Sequence, residues 1–130
     1  MRTLGTCRER TAASSRYPPQ LPQSMSAIIA YITAKDRDEA LRIGKGLLES
    51  RLAACINILE GMQSVYWWEG KLEEARECVL IAKADASRQE EIVALVKELH
   101  SYSVPCVVFW PLTGGNPAYL DWIGKESGHA

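Results

Sequence analysis

Hydrophobic and polar positions change period several times along this chain, and each change marks the edge of an element. From Ser26 to Thr33 the run Ser-Ala-Ile-Ile-Ala-Tyr-Ile-Thr is rich in β-branched and aromatic residues and predicts a first strand. Asp36 and Glu39 then form a D-x-x-E capping box. Behind it Ala40, Ile43, Leu47 and Leu48 recur at helical spacing, which predicts an amphipathic helix over residues 37–51. Ala53 to Leu59 reads as a second strand that resumes after Gly61 and runs through Val65, Tyr66, Trp67 and Trp68. Glu69-Gly70 supplies a two-residue hairpin turn, with the glycine taking positive φ. The return strand reaches Cys78-Val-Leu-Ile-Ala-Lys83. Ser87 and Glu90 make a second capping box, ahead of an apolar stripe of Ile92, Val93, Val96 and Leu99. Pro105 to Trp110 predicts a fourth strand with its proline at the tolerated first position. A turn at residues 114–117 and a short helix from Ala118 to Ile123 complete the chain. The order β-α-β-β-α-β plus a terminal helix predicts an α+β, ferredoxin-like fold: a split βαβ with one antiparallel four-stranded sheet and two helices on one face.

The ends lie outside this pattern. Residues 1–25 contain Thr-Ala-Ala-Ser-Ser and the proline-rich Tyr17-Pro18-Pro19-Gln20-Leu21-Pro22, which blocks helix and central strand alike. This stretch is expected to be a disordered extension. An Arg-rich, acid-poor start suits an organelle transit segment, whereas the lack of amphipathic period favours a natural start at Met25. Residues 26–124 form the expected domain and 125–130 a flexible C-terminus. No apolar run is long enough to span a membrane.

Charge changes the picture of possible partners. The first 25 residues hold Arg2, Arg8, Arg10 and Arg16 against Glu9, while the rest hold 11 basic and 15 acidic side chains. The folded part is therefore acidic, which suits cations and argues against nucleic acid. Cys7, Cys55, Cys78 and Cys106 have neither C-x-x-C nor zinc-finger spacing, and three of them sit in apolar strand-like runs. That usage points to a reducing compartment, the cytoplasm, with mostly structural cysteines. The hairpin is unusual because Val65-Tyr66-Trp67-Trp68 puts large apolar groups on both strand faces. Tyr66, Trp67 and Trp68 are thus candidates for a self-association surface.

Five strings in order then resemble the CutA family of divalent-cation tolerance proteins. They are Arg51-Leu-Ala-Ala-Cys55-Ile-Asn57-Ile, Ser64-Val-Tyr66-Trp-Trp68-Glu-Gly70-Lys71, Leu80-Ile-Ala-Lys83, His100-Ser-Tyr102-Ser-Val-Pro105 and Tyr119-Leu120-Asp-Trp122. The resemblance covers about Ser26 to Ile123. It implies the fold just derived and a compact homotrimer in which long hairpins extend one sheet into the next subunit. It also implies a role in tolerance to copper and other divalent metals, with copper or zinc binding in some members and a likeness to PII signalling trimers. The family's usual His-Pro-Tyr-Glu-x-Pro-Glu string is here His100-Ser101-Tyr102-Ser103-Val104-Pro105-Cys106. Some copper-binding relatives carry two adjacent histidines and a first-strand cysteine where this chain has Leu99-His100 and Ile32. Their copper site does not carry over whole.

The candidate metal ligands are His100, Cys55, Glu77 and Cys106. His100 stands at a helix C-terminus, which favours an imidazolium by the helix dipole as readily as a ligand role. Cys55 offers a thiolate for Cu(I) or zinc, or a small buried side chain; Cys106 stands where the family often has Glu. Glu77 and Lys83 match family positions on the return strand, and Lys83, with Tyr102, is the candidate for an anionic ligand. The leading expectation is a non-enzymatic homotrimer of metal tolerance and response. A second is a PII-like trimer binding a small anion at intersubunit clefts, although Gly44-Lys-Gly46 lies within a helix and offers no phosphate loop. An acylphosphatase-like enzyme is disfavoured, because Asp36 stands at the helix start where phosphate would sit.

Overall fold

The β-branched run after Ser26 forms strand β1 (Ala27–Ala34) in the computed structural model, which describes residues 26–128. Ile28, Ala30, Ile32 and Ala34 point to the core and are almost fully buried. Helix α1 (Arg37–Glu49) follows, capped as expected: Asp36 accepts the Glu39 N–H at 2.8 Å. Its buried stripe is Ala40, Ile43 and Leu47, with Leu48 packed at the margin. Gly44 faces the sheet, and a Cβ there would collide with the Ile56 side chain and press on Leu80. The two glycines of Gly44-Lys-Gly46 are thus packing devices, since Gly46 lies against Leu99 and Leu95 of the second helix.

Strands β2 (Cys55–Trp68) and β3 (Lys71–Asp85) form one long hairpin. Glu69 and Gly70 both take positive φ, 51° and 80°, which closes the tight turn with the twist that hairpins require. The sheet order is β2-β3-β1-β4, with β4 (Val107–Pro111) on the far edge and all pairs antiparallel. Helix α2 (Gln89–Leu99) packs beside α1 on the same face, burying Ile92 and Val96. This is the split βαβ arrangement.

Three local expectations are corrected. Asp85, rather than Ser87, caps the second helical segment: its carboxylate accepts the Ser87 N–H at 3.1 Å and the Ser87 hydroxyl at 2.5 Å. The hydroxyl is spent as a donor, a turn of 3₁₀ helix (Ala86–Arg88) intervenes, and α2 starts without a side-chain cap at Arg88. Leu95 and Leu99, rather than Val93, flank the buried pair against the core. The terminal helix α3 (Pro117–Ser127) outruns its expected end at Ile123. Asn116 caps it and Pro117 opens it. Residues 125–127, expected to be loose, are helical because their end is tied down. The Arg88 guanidinium donates to the carbonyls of Ser127 (2.7 Å) and Gly128 (3.2 Å), and the buried Ser127 hydroxyl accepts the Asp85 N–H at 3.0 Å. Residues 1–25 and 129–130, with the expectations made for them, lie outside the described residues. Among the described residues no helix is long and apolar enough to cross a membrane.

One irregularity positions everything below. Leu59 pairs with Val79 and Met62 with Glu77, so two residues of β2 stand opposite the single Cys78. Gly61 (φ 81°) takes the left-handed backbone this bulge needs. The bulge changes parity. Cys55, Asn57 and Leu59 face away from α1 and α2 before it, and Met62, Ser64, Tyr66 and Trp68 do so after it.

Replacing Gly44 by Leu should destabilise the domain by about 1–3 kcal/mol, because α1 cannot retreat from β2 and β3 without opening the core. Urea unfolding followed by far-UV circular dichroism checks the value.

Candidate functional site

On the sheet face opposite α1 and α2, beside the part of it that α3 covers, β1, the arm of β2 and the segment after α2 line a cleft of about 750 Å³. Tyr31, Met62, Tyr66, Trp68 and Val104 are among its apolar walls, and Thr33, Gln63, Ser64, Ser103 and Cys106 among its uncharged polar groups. Glu77 is the one charged residue on its lining. It is only 8% exposed, and its Oε2 accepts the Tyr102 hydroxyl at 2.8 Å. Burial first, then the hydrogen bond and charge of Glu77, push the Tyr102 phenol up, so it keeps its proton and donates it.

The segment carrying Tyr102 is held by a second buried carboxylate. Glu39 accepts the Lys35 N–H at 2.9 Å on one oxygen and the Ser101 N–H at 2.7 Å on the other. Burial alone would raise its pKa, but these backbone donors, with His100 nearby, outweigh it and hold the carboxyl below its ordinary value. Its partner across the sequence is read only in three dimensions. The capping box predicted a bond back along α1, not one reaching the far end of α2.

His100 caps α2 with its N–H on Val96 and turns its ring inward. Nδ1 accepts the Tyr102 N–H at 3.1 Å, which leaves the ring proton on Nε2, directed at the Thr33 carbonyl 2.7 Å away. Both ring nitrogens are engaged within the chain, so the imidazole ties the Tyr102 segment to β1. Cys55 sits on the open face opposite Lys83, with its thiol near the Ile56 carbonyl and the Asn57 side chain. It is not on the cleft lining, and neither is His100. Of the four predicted ligands, Glu77 and Cys106 meet there; His100 and Cys55 do not join them.

The anion candidates separate as well. Tyr102 is in the cleft, bound to Glu77, whereas Lys83 donates to the Tyr119 hydroxyl at 3.3 Å with its ammonium 5.5 Å from that ring's centroid. A cleft whose charge is a carboxylate does not suit an anion. Tyr66 and Trp68 face the cleft, and Trp67 faces the opposite side of the arm. Sequence reasoning missed Tyr31, Thr33 and Met62, since nothing local marks which strand face is left uncovered.

Residues 28–126 match the family described as CutA1 divalent ion tolerance protein. The chain belongs to the CutA1 family. It is 46% identical over 95 residues to the divalent-cation tolerance protein CutA of Archaeoglobus fulgidus, covering 73% of this chain and 92% of that one. It is 40% identical over 124 residues to the CutA homolog of Xenopus laevis, covering 95% and 78%. The solved CutA1 structure from Thermus thermophilus superposes with a TM-score of 0.77 at 38% identity, over 78% of this chain and 99% of that one. Such neighbours confirm the ferredoxin-like fold.

For a CutA1 chain the metal question is then one of fit. Among the described residues no three His, Cys, Asp or Glu side chains gather closely enough to hold an ion. Both His100 nitrogens are used, and the Met62 sulfur accepts the Tyr31 hydroxyl at 3.4 Å. The described residues of this chain therefore offer no prebuilt coordination sphere for the metals its family is named for.

Glu39 generates a pH dependence. Its folded pKa lies below the unfolded value of about 4.3, so its contribution is complete above that pH and is lost as pH falls through the folded value. Glu39→Gln should cost about 1.5–3 kcal/mol at neutral pH, and parent and variant should converge in strong acid, measured by urea unfolding across pH. Tyr102→Phe should cost a similar amount, about 1.5–3 kcal/mol, by stripping the donor from buried Glu77. It should cost far less in a Glu77→Gln background, as a double-mutant cycle will read.

Proposed function

We propose that the chain is a non-enzymatic homotrimer of divalent-metal tolerance, copper included, acting in the cytoplasm. Its place in the divalent-ion tolerance family supports the metal role. The observation that carries the assembly is the far half of the hairpin. Beyond the bulge the arm presents Tyr66 and Trp68 on one face and Val65, Trp67 and Leu72 on the other. Trp67 is 72% exposed and its cross-strand partner Leu72 59%. Burying an aromatic side chain of roughly 200 Å² is worth about 5 kcal/mol before ordering costs, so a bare two-faced arm leaves a large driving force unused. β2 is also a sheet edge of 14 residues, long for an unprotected strand. An apolar arm with an unpaired edge is complementary to another copy of itself, and closed symmetry satisfies every arm at once.

Two further features support the non-enzymatic reading and the compartment. The Tyr102 hydroxyl of the cleft donates to Glu77 rather than forming a nucleophile–base pair. Cys55, Cys78 and Cys106 are free thiols, as suits a reducing cytoplasm, and burial pushes the Cys78 thiol up. With no site built among the described residues of one subunit, we assign metal tolerance to the assembled protein. The anion-binding alternative has no observation in its favour, because Lys83 is committed to Tyr119.

Native mass spectrometry tests both halves. The parent should run as a trimer and Trp67→Glu as smaller, folded species at micromolar concentration; an intact trimer in the variant would remove the arm from the interface. Titration of the metal-free trimer with Cu(I), Cu(II) and Zn(II) then reads whether uptake saturates at a fixed count.

A further inference from the structure

We propose that in the assembled protein the open-face cleft of each subunit is closed by the arm of a neighbouring copy laid tip to base, with Lys71 of the partner subunit as the counter-charge of Glu77. The inference rests on the arm-mediated assembly proposed above and adds the charge pair that sets its register.

The cleft is incomplete in one chain. Glu77 is more than nine-tenths buried, and among the described residues it forms no ion pair. Its one hydrogen-bond partner, Tyr102, is a neutral donor on a single oxygen. A buried carboxylate so placed keeps most of its desolvation cost until a positive charge reaches it. The nearest cations of its own strand do not. Lys83 is on Tyr119, and Arg76 stands on the back of the arm.

The arm carries the missing charge at its other end. Register pairs Glu77 with Met62, Ala75 with Ser64, Glu73 with Tyr66 and Lys71 with Trp68, and cross-strand partners share a face. Glu77 and Lys71 thus stand on one face of the arm, at base and tip. The strand between them spans about 20 Å at the usual rise, beyond the reach of a lysine side chain. Among the described residues Lys71 has no hydrogen-bond or ion-pair partner. Glu73 lies closer to it but is exposed, and an exposed pair is worth little beside the relief of a buried carboxylate.

A face with a cation at one end and a carboxylate at the other is complementary to a reversed copy of itself. Laid tip to base, Lys71 meets Glu77; laid tip to tip, lysine would face lysine and Glu77 would stay unpaired. Ser64 and Ala75, the smallest cross-strand pair on this face, leave depth for an inserted side chain. At about 750 Å³ the cleft has room for several such side chains. The same step covers Tyr66 and Trp68, both exposed in the single chain. A ring of these contacts closes with every cleft filled.

Subunit exchange between unlabelled and isotope-labelled assemblies of the full chain, followed by native mass spectrometry, tests the pair. Lys71→Glu and Lys71→Met should exchange about tenfold or more faster than the parent, and Lys71→Arg, which keeps the charge, should stay close to it. Circular dichroism should be unchanged, because Lys71 is exposed at the arm tip. In a Glu77→Gln background Lys71→Met should accelerate exchange far less, the mark of a pair between the two positions. Parent-like exchange in Lys71→Glu, or equal acceleration with and without Glu77, would overturn the pair. If Trp67→Glu still splits the trimer in that case, the arm-mediated assembly stands and this inference alone falls. A parent that runs as a monomer removes both.

Discussion

A single extra residue in β2 decides what this sheet can do. Without the bulge at Glu60-Gly61, strict alternation would carry Gln63, Val65 and Trp67 to the open face and turn Met62, Tyr66 and Trp68 away from Glu77. The cleft would exchange Tyr66 and Trp68 for Trp67 alone, and Gly61 rather than Met62 would stand opposite Glu77. Gly61 makes the parity change possible by taking a backbone conformation that would strain other residues. Fold and site meet at that glycine. The same step sends Trp67 to the back of the arm beside its cross-strand neighbour Leu72, so cleft wall and exposed apolar back are two consequences of one backbone irregularity.

Two buried glutamates illustrate how one side chain serves opposite ends. Glu39 has a backbone donor on each oxygen, a histidine ring 3.9 Å away and Arg42 at 3.7 Å. It is satisfied, and its role is to hold. Glu77 lies at a comparable depth with one phenol for company. What separates them is the second partner rather than burial, and the undersupplied one faces the cleft.

Most of the architecture was legible because its signals are local. Ile28 to Ile32, the Asp36 cap and the Glu69-Gly70 turn each sit beside the residues they organise. The second helix start was misread because Asp85 and Ser87 compete for one role and only geometry shows which oxygen reaches the free N–H. The site was legible by residue but not by role. His100 and Tyr102 stand out in the sequence, yet the Thr33 carbonyl that fixes the imidazole lies 67 positions away and carries no side-chain signature. The non-alternating Val65-Tyr66-Trp67-Trp68 is apolar on both faces, and all four side chains are exposed in the structure. Assigning its members to faces required the register, which depends on where the bulge falls.

The Glu39 carboxylate has a thermodynamic reach beyond its own contacts. One oxygen holds the backbone just ahead of α1 and the other holds Ser101, next to the Tyr102–Cys106 wall of the cleft. Swinging that wall outward breaks the Ser101 bond to Glu39, 62 residues earlier, whose other oxygen anchors the entry to the first helix. Wall and helix start therefore order and disorder together. Anything that occupies the cleft and favours the closed wall also lends protection to the backbone ahead of a helix it never touches.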